Sequence, residues 1–427
     1  MRLPLNVLLI GGGGREAALA WAFRKSPLLA DLACAPGNAG IERHARRIPI
    51  AADDVDALVA HAVALRYDLV VVGPEAPLCA GIADRLGAAG LHVFGPSAAA
   101  ARLEGSKAFS KDFMARHRIP TAAYRVFDDE AEASRYLRSN DVGYPLVVKA
   151  DGLAAGKGVV IADDADAAVL AASQMLSGRS FGAAGRRIVI EELLRGREAS
   201  FFVLTDGRSS VELATCQDYK RAEDADRGAN TGGMGTYSPS AWLDETVRRR
   251  LRESVVAPTV LGLAAEGCPF RGVLFIGVMI TDAGPKVLEY NARFGDPETQ
   301  VLMPRLDGDW LAVLHACARG ELSQVRLSWR DDAAVCVVMA SGGYPGTYEK
   351  GFPIDGIDAA EGMSGVTVFH AGTERDPSGR VVTAGGRVLG VTATGADVPS
   401  ARRRAYEAVA RIRFRGEHHR TDIARDG

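Results

Sequence analysis

Apolar runs of four to eight residues, each ended by a glycine- or proline-rich turn, alternate with helical patterns along the first hundred residues. Val7–Ile10 is apolar and runs into Gly11–Gly14, and a helix pattern follows from Glu16 to about Lys25. Leu32–Ala35, Leu69–Val72 and His92–Phe94 read as strands, while Asp54–Ala64 and Ala80–Ala89 read as helices. Strands alternating with helices predict a parallel, doubly wound sheet with its chemistry at the strand C-termini. Those ends carry Gly11–Arg15, Pro36-Gly37-Asn38-Ala39-Gly40, Gly73-Pro74-Glu75-Ala76-Pro77 and Gly95-Pro96-Ser97. After a helix from Lys107 to His117, residues 121–193 predict a small α+β unit. Its strands are Tyr124–Phe127, Leu146–Ala150, Gly158–Ile161 and Ile188–Glu192, with helices near 129–139 and 163–177. Farther on, strands are expected at Ala199–Thr205, Gly272–Thr281 and Pro285–Asn291, and helices at Leu243–Glu266 and Trp310–Ala318. The last hundred residues are turn-rich, with short strands and one helix over about 399–412. The expected division is 1–105, 106–325 with 121–193 as its lid, and 326–427. It describes a multidomain α/β and α+β chain with a small mixed C-terminal domain.

The length of 427 residues agrees with two to four domains. A net charge of −2, with 47% hydrophobic and 24% charged residues, gives no basic field for nucleic acid or an anionic membrane. The six cysteines form no CxxC pair and no zinc spacing, which points to buried thiols in a reducing cytoplasm. Leu5–Ile10 is too short for a secretory or membrane segment.

Chemistry concentrates in Lys286-Val-Leu-Glu-Tyr-Asn-Ala-Arg-Phe-Gly-Asp-Pro-Glu298. Strand alternation puts Glu289, Asn291 and Arg293 on one face and Leu288, Tyr290 and Ala292 on the other. A carboxylate and an amide oxygen suit Mg²⁺, and an arginine fork suits phosphate. Gly11–Glu16 opens a helix as an anion site does, but Glu16 stands where a dinucleotide fingerprint needs glycine. No acidic residue ends the second strand, so a sugar phosphate is favoured over NAD, with Asn38 and Gly40 on the next loop. Lys149-Ala-Asp-Gly-Leu-Ala-Ala-Gly-Lys-Gly158 is a small-residue loop whose lysines Lys149 and Lys157 can cover a triphosphate. Ile188–Leu194 could meet a purine edge at its end, and Glu198 could accept from ribose hydroxyls, although alone this reads as an apolar strand with acidic caps. The long segment 217–235 carries Asp218, Lys220, Arg221 and Asn230 without an evident element, as functional loops do.

In this order the pieces resemble the ATP-grasp superfamily, and within it the phosphoribosylamine–glycine ligase family. The resemblance rests on Gly12-Gly-Gly-Arg-Glu16, Pro36-Gly-Asn38, Gly73–Leu78, Leu103-Glu-Gly-Ser-Lys107, Val148–Gly158, Asn230-Thr-Gly-Gly-Met-Gly235, Glu289–Glu298 and Arg420-Thr-Asp-Ile423. It implies ATP-dependent joining of glycine to 5-phosphoribosylamine through glycyl phosphate, in purine biosynthesis, with ATP as co-substrate and Mg²⁺ or Mn²⁺ as metal. By that resemblance Lys107, Lys149, Gly156 and Lys157 serve ATP phosphates, as do Arg221 and Asn230. Glu191, Glu192 and Leu194 frame adenine and Glu198 the ribose. Glu289 and Asn291 hold the metal. Arg293 clamps the transferring phosphate with Asp296 as its orienter. Gly13, Asn38, Gly40 and Glu75 lie near the phosphoribosylamine, and Asp218 orients an amine. Ala17 and Tyr219 stand where the family usually or often shows histidine, Ala225 where it often shows glycine, and Ala229 where proline is common. A monomer or weak dimer in the cytoplasm is expected, with no nucleic-acid or membrane partner. The alternatives are a related ATP-grasp ligase for another acid or amine, and a silent nucleotide-binding protein.

Overall fold

The structure is a computed structural model describing residues 4–153, 158–177 and 185–427. Apolar runs buried on both sides form the first sheet, as a parallel sheet covered by helices requires. Its five strands lie in the order Arg46–Arg47, Leu29–Pro36, Leu5–Gly11, Leu69–Val72, His92–Phe94, all parallel. The switch in order falls at Leu5–Gly11, so the loop Gly11–Gly14 opens at the crevice where such sheets hold ligands. The expected helix Ala80–Ala89 forms as Ile82–Ala88, and a short helix not expected from the sequence, Glu75–Cys79, precedes it. Between them Gly81 takes φ +83°, which ends the first helix and turns the chain into the second.

A small antiparallel sheet follows in the order Tyr124–Phe127, Ile188–Glu192, Leu146–Ala150, Val159–Ala162. Its helices Glu130–Leu137 and Ala165–Leu176 are capped by Asp129 and Asp164, each accepting from a backbone N–H of its first turn. A second antiparallel sheet runs Ser210–Glu212, Arg197–Asp206, Arg271–Thr281, Gly284–Asn291. Its core contains Phe202 and Phe275, stacked at 4.4 Å between ring centroids. The helix expected over Leu243–Glu266 forms as Glu245–Leu251 and Ala257–Ala265, joined through a π-turn.

The segment 217–235 is not an irregular loop. Gln217–Asp218 and Gly235–Ser238 are strands, and Arg221–Glu223 pairs with Arg227–Asn230 as a hairpin between them. The C-terminal sheet is built from both parts of the chain, in the order Gln217–Asp218, Gly235–Ser238, Ala333–Ala340, Arg387–Gly395, Val366–His370. Residues 326–427 therefore share a sheet with 217–238. The helix Val398–Val409 packs on this sheet, with Ala401, Ala405 and Ala408 buried. Among the described residues no helix is long and apolar enough to cross a membrane.

Candidate active site

One cavity of about 1030 Å³ is walled by all of these units. The small sheet contributes Val147, Lys149 and Glu191, and the larger sheet Met279, Glu289 and Asn291. Arg15 and Glu75 enter from the parallel sheet, Tyr344 and Arg387 from the C-terminal part. Of the residues expected at the site, the cavity gathers Glu75, Lys107, Lys149, Glu191, Glu192, Leu194, Glu198, Asp218, Arg221, Asn230, Glu289, Asn291, Arg293 and Asp296. Gly156 and Lys157 lie outside the described residues.

Glu289 pairs with Gly277 across the sheet, and the register shifts beyond that pair. The bulge brings Leu288 onto the cavity wall beside Glu289, against the simple alternation expected for it. Burial pushes the Glu289 carboxyl up, but Lys220, Lys149, Lys107 and Arg293 outweigh it and hold the group below its usual range. Lys220 Nζ stands 3.7 Å from Glu289 Oε1 and also pairs with Glu198. Asn291 Oδ1 accepts from Arg293 Nη2 at 3.0 Å, leaving a second lone pair on that oxygen. Two hard oxygen donors two residues apart suit a Mg²⁺-type ion that keeps most of its ligands from phosphate and water. Among the described residues no group of three or more His, Cys, Asp or Glu is placed to hold a metal alone.

Arg293 is held differently from the expectation. Its Nε donates to Glu75 Oε2 at 3.2 Å, and its Nη2 lies 2.8 Å from Glu104 Oε1. Asp296 is occupied elsewhere. It accepts from the Arg15 backbone N–H at 3.3 Å and from Gln300 Nε2 at 2.8 Å, and Arg387 Nη1 lies 3.5 Å from its Oδ1. Glu75 and Glu104 orient the guanidinium, and Asp296 fastens the glycine loop to the helix Glu298–Arg305. Glu104 also accepts the Ala292 N–H at 2.6 Å. Burial raises the Glu104 carboxyl to about 7 against the pull of Arg293, while Glu75 pushes the same way as burial.

Glu191 lines the cavity, and its Oε1 is buried there without a hydrogen-bond partner. Its Oε2 is shared by Lys149 Nζ at 3.0 Å and Lys111 Nζ at 2.9 Å, in a buried triad. Lys111 also donates to Thr121 Oγ1 at 2.7 Å, and burial lowers its ammonium to about 8. Glu192 instead accepts from the Ala123 N–H and from Lys286 Nζ. The apolar part of the wall includes Val147, Ile161, Leu194, Met279 and Leu288. Lys107 Nζ reaches the Gly152 carbonyl at 3.1 Å, and burial lowers its ammonium. Ser106 Oγ donates to Asp151 Oδ1 at 3.0 Å, so the chain around Lys107 grips the base of the small-residue loop.

Of the four positions expected toward the sugar phosphate, Glu75 lines the cavity, whereas Gly13, Asn38 and Gly40 do not. Asn38 is buried with its amide engaged: it donates to the carbonyls of Gly12, His370 and Ala371 and accepts from the N–H groups of Gly40 and Ile41. It therefore braces the loop against the C-terminal part of the chain. A Cβ on Gly40 would lie 2.3 Å from the His370 ring, so close packing explains that glycine. The Gly13 N–H donates to Glu16 Oε2 at 2.7 Å. Ala17 is buried in the core behind the loop and does not line the cavity.

Sequence reasoning missed Glu104, Lys111, Arg387 and Glu298. The last is buried and accepts from Ser200 Oγ at 3.1 Å. Burial raises its carboxyl and that of Asp218, and the Glu298 charge raises Asp218 further. Asp218 Oδ1 is buried without a hydrogen-bond partner. That is a cation-accepting corner. A signal for Glu298 lay in Gly295-Asp296-Pro297-Glu298, and one for Glu104 in Leu103–Lys107; nothing local marked Lys111 or Arg387.

A pH profile follows from the two buried groups around the lysines and Arg293. Glu104 must be ionised to hold Arg293, and Lys111 must be protonated to hold Glu191. We expect kcat/KM for ATP, which reports the free enzyme, to rise near pH 7 and fall near pH 8. Glu104→Gln should remove the acid limb alone. A profile flat through both values would discount these assignments.

A small antiparallel sheet and a larger antiparallel sheet, both walling one lysine-bearing cavity, make this an ATP-grasp protein. Solved biotin carboxylase structures share the fold, such as the Hydrogenobacter thermophilus 2-oxoglutarate carboxylase domain at 17% identity and TM-score 0.74, over 98% of this chain and 92% of that one. The sequence matches the phosphoribosylglycinamide synthetase N domain over residues 5–104, its ATP-grasp domain over 105–299 and its C domain over 334–426. The chain belongs to the phosphoribosylglycinamide synthetase family. It is 53% identical to the phosphoribosylamine–glycine ligase of Caulobacter vibrioides over 420 residues, 98% of this chain and 97% of that protein. It is 50% identical to that of Vibrio vulnificus over 422 residues, with the same shares covered. The crystal structure of the Thermotoga maritima phosphoribosylamine–glycine ligase superposes with TM-score 0.86 at 34% identity, covering 98% of this chain and all of that one.

Proposed function

We propose that this chain joins glycine to 5-phosphoribosylamine at the expense of ATP, giving glycinamide ribonucleotide, ADP and phosphate. The carrying observation is the meeting, in one cavity, of the Arg293 fork, the Lys107–Lys149 pair, the oxygens of Glu289 and Asn291, and the Asp218–Glu298 corner. Membership of the synthetase family supports the choice of substrates.

A glycine carboxylate oxygen attacks the γ-phosphorus, the bond to the β-phosphate oxygen breaks, and ADP leaves. The resulting glycyl phosphate is attacked at its acyl carbon by the amine of phosphoribosylamine. The carbon–oxygen bond to phosphate breaks, and the amine gives up a proton as the amide forms. Lys107 and Lys149 offset the charge of the ATP phosphates, and Arg293 grips the phosphoryl group in transfer. Glu289 and Asn291 would hold a divalent ion, Mg²⁺ or Mn²⁺, which when bound draws the phosphate oxygens together and offsets their charge. Asp218 and Glu298 supply the negative corner for glycine's ammonium, fixing its carboxylate toward ATP. The apolar wall from Val147 to Leu288 receives the adenine. Glu75 and Arg15 face the cavity from the parallel sheet and are placed for the phosphoribosylamine. Asn38, Gly13 and Gly40 shape that end through the backbone.

ADP release from ATP and Mg²⁺ with glycine, with and without freshly generated phosphoribosylamine, tests this reading. Release that needs both substrates and yields a glycine-containing amide is expected. Release only with other acids or amines would move the chain to a different ligase reaction. No release with any pairing would overturn the enzymatic reading.

A further inference from the structure

The hairpin that carries Arg221 and Asn230 to the cavity is too small to hold itself. It has two cross-strand pairs, Arg221 with Asn230 and Glu223 with Arg227, and an isolated two-stranded ribbon is marginal in water. Its turn also places Ala225 at φ 59° and Asp226 at φ 52°, a left-handed conformation that residues with a Cβ resist. Ala225 is the position where glycine would remove that resistance, so another part of the chain must impose the turn.

The tail does so. Arg420, almost 200 residues later and only 1% exposed, donates from Nη1 to Asp226 Oδ1 at 2.7 Å and to the Arg221 carbonyl at 3.1 Å. Its Nε and Nη2 grip both oxygens of Asp422 at 2.8 Å. Asp422 Oδ2 in turn accepts the Ala225 N–H at 2.8 Å, at the strained turn itself. Thr421 binds Asp224 through its backbone N–H at 2.8 Å and again through its hydroxyl. His418 Nε2 meets the Ala222 carbonyl at 2.8 Å. Tyr219, at the base of the hairpin, lies under the Arg420 guanidinium at 5.0 Å, and its hydroxyl accepts the Ala424 N–H at 3.0 Å. Every residue from Ala222 to Asp226 except Glu223 is therefore tied to residues 418–422.

We propose that the segment Arg420–Ala424 is the anchor that sets the hairpin, and with it Arg221 and Asn230, against the nucleotide, with Arg420 as the positioning residue. The proposal rests on the reading that Arg221 and Asn230 serve ATP. Neither Arg420 nor Thr421 lines the cavity, so substitutions there reach the nucleotide through the hairpin and through Tyr219 at its base.

The test uses the full chain with Arg420→Lys, which keeps a charge but loses the planar fork, and Thr421→Ala, which removes one exposed hydroxyl and leaves folding intact. Hydrogen–deuterium exchange over 221–230 reports the hairpin without reference to activity, and a melting curve reports the whole fold. Faster exchange confined to the hairpin is expected in both variants. In Arg420→Lys, KM for ATP should rise about tenfold while KM for glycine stays within about twofold. Unchanged exchange in both variants would overturn the anchor. Faster exchange with KM for ATP unchanged would overturn the proposal at its nucleotide end, while ADP release still dependent on both substrates would leave the ligase reading standing.

Discussion

Glu289→Ala abolishes turnover while the fold stays near wild type. The carboxylate is the only charged oxygen donor on its strand facing the phosphate lysines, and Lys107, Lys149, Lys220 and Arg293 together keep it ionised. Losing this donor loosens the ion that offsets the phosphate charge, and removing such charge stabilisation from a closed site costs at least about 10²–10³ in kcat. Stability is spared for a separate reason. Lys220 keeps its ion pair with Glu198, and the Glu289 side chain is not part of an apolar core. Initial rates of ADP release at saturating substrates, read beside a thermal melt, check both halves. Turnover at the wild-type rate would remove the metal assignment.

Arg293→Lys loses most of the activity, with a drop in kcat of about a hundredfold. The guanidinium serves Glu75, Glu104 and Asn291 with separate nitrogens and keeps a fixed plane toward the cavity. An ammonium can satisfy one or two of these partners and has no plane. Glu104 then stands buried beside a mobile point charge, so its carboxyl should titrate still higher and the acid limb of the pH profile should move upward. Near-normal rates in this variant would sink the clamp role.

What was legible in the chain follows from the range of the forces involved. Tyr124–Phe127, Leu146–Ala150 and Ile188–Glu192 were read to the residue because short apolar strands bounded by turns are local patterns. The same holds for the glycine loop after Leu5–Gly11. The hairpin within 217–235 was not legible, because its polar strands owe their pairing to contacts with the tail. The sharing of one sheet by 217–238 and 333–395 has no local signature either. At the site, the residues facing the cavity were readable as types, but their partners were not. Asn38 looked like a ligand contact because an exposed asparagine on a strand-end loop would be one, whereas burial against His370 and Ala371 turns it into a brace. Glu191 was readable as a carboxylate at a strand end, but not its partners Lys111 and Lys149, which arrive from other elements. Arg293 was legible as a residue of the cavity, but Asp296 was assigned to it by nearness in sequence. Glu104, nearly 200 residues earlier, holds it in space.

The shared sheet has a consequence for synthesis of the chain. Strand Gly235–Ser238 leaves the ribosome about a hundred residues before Ala333–Ala340, the strand that covers its edge. At ~5–20 residues per second that gap is roughly ten seconds. During it, the edge of Gly235–Ser238 away from Gln217–Asp218 has no partner and is open to pairing with other nascent chains. The hairpin of Arg221–Glu223 and Arg227–Asn230 must wait longer still, for Arg420. Overexpression on crowded polysomes should therefore lose this protein to aggregation through residues 235–238, at a stage when the N-terminal sheet has already formed.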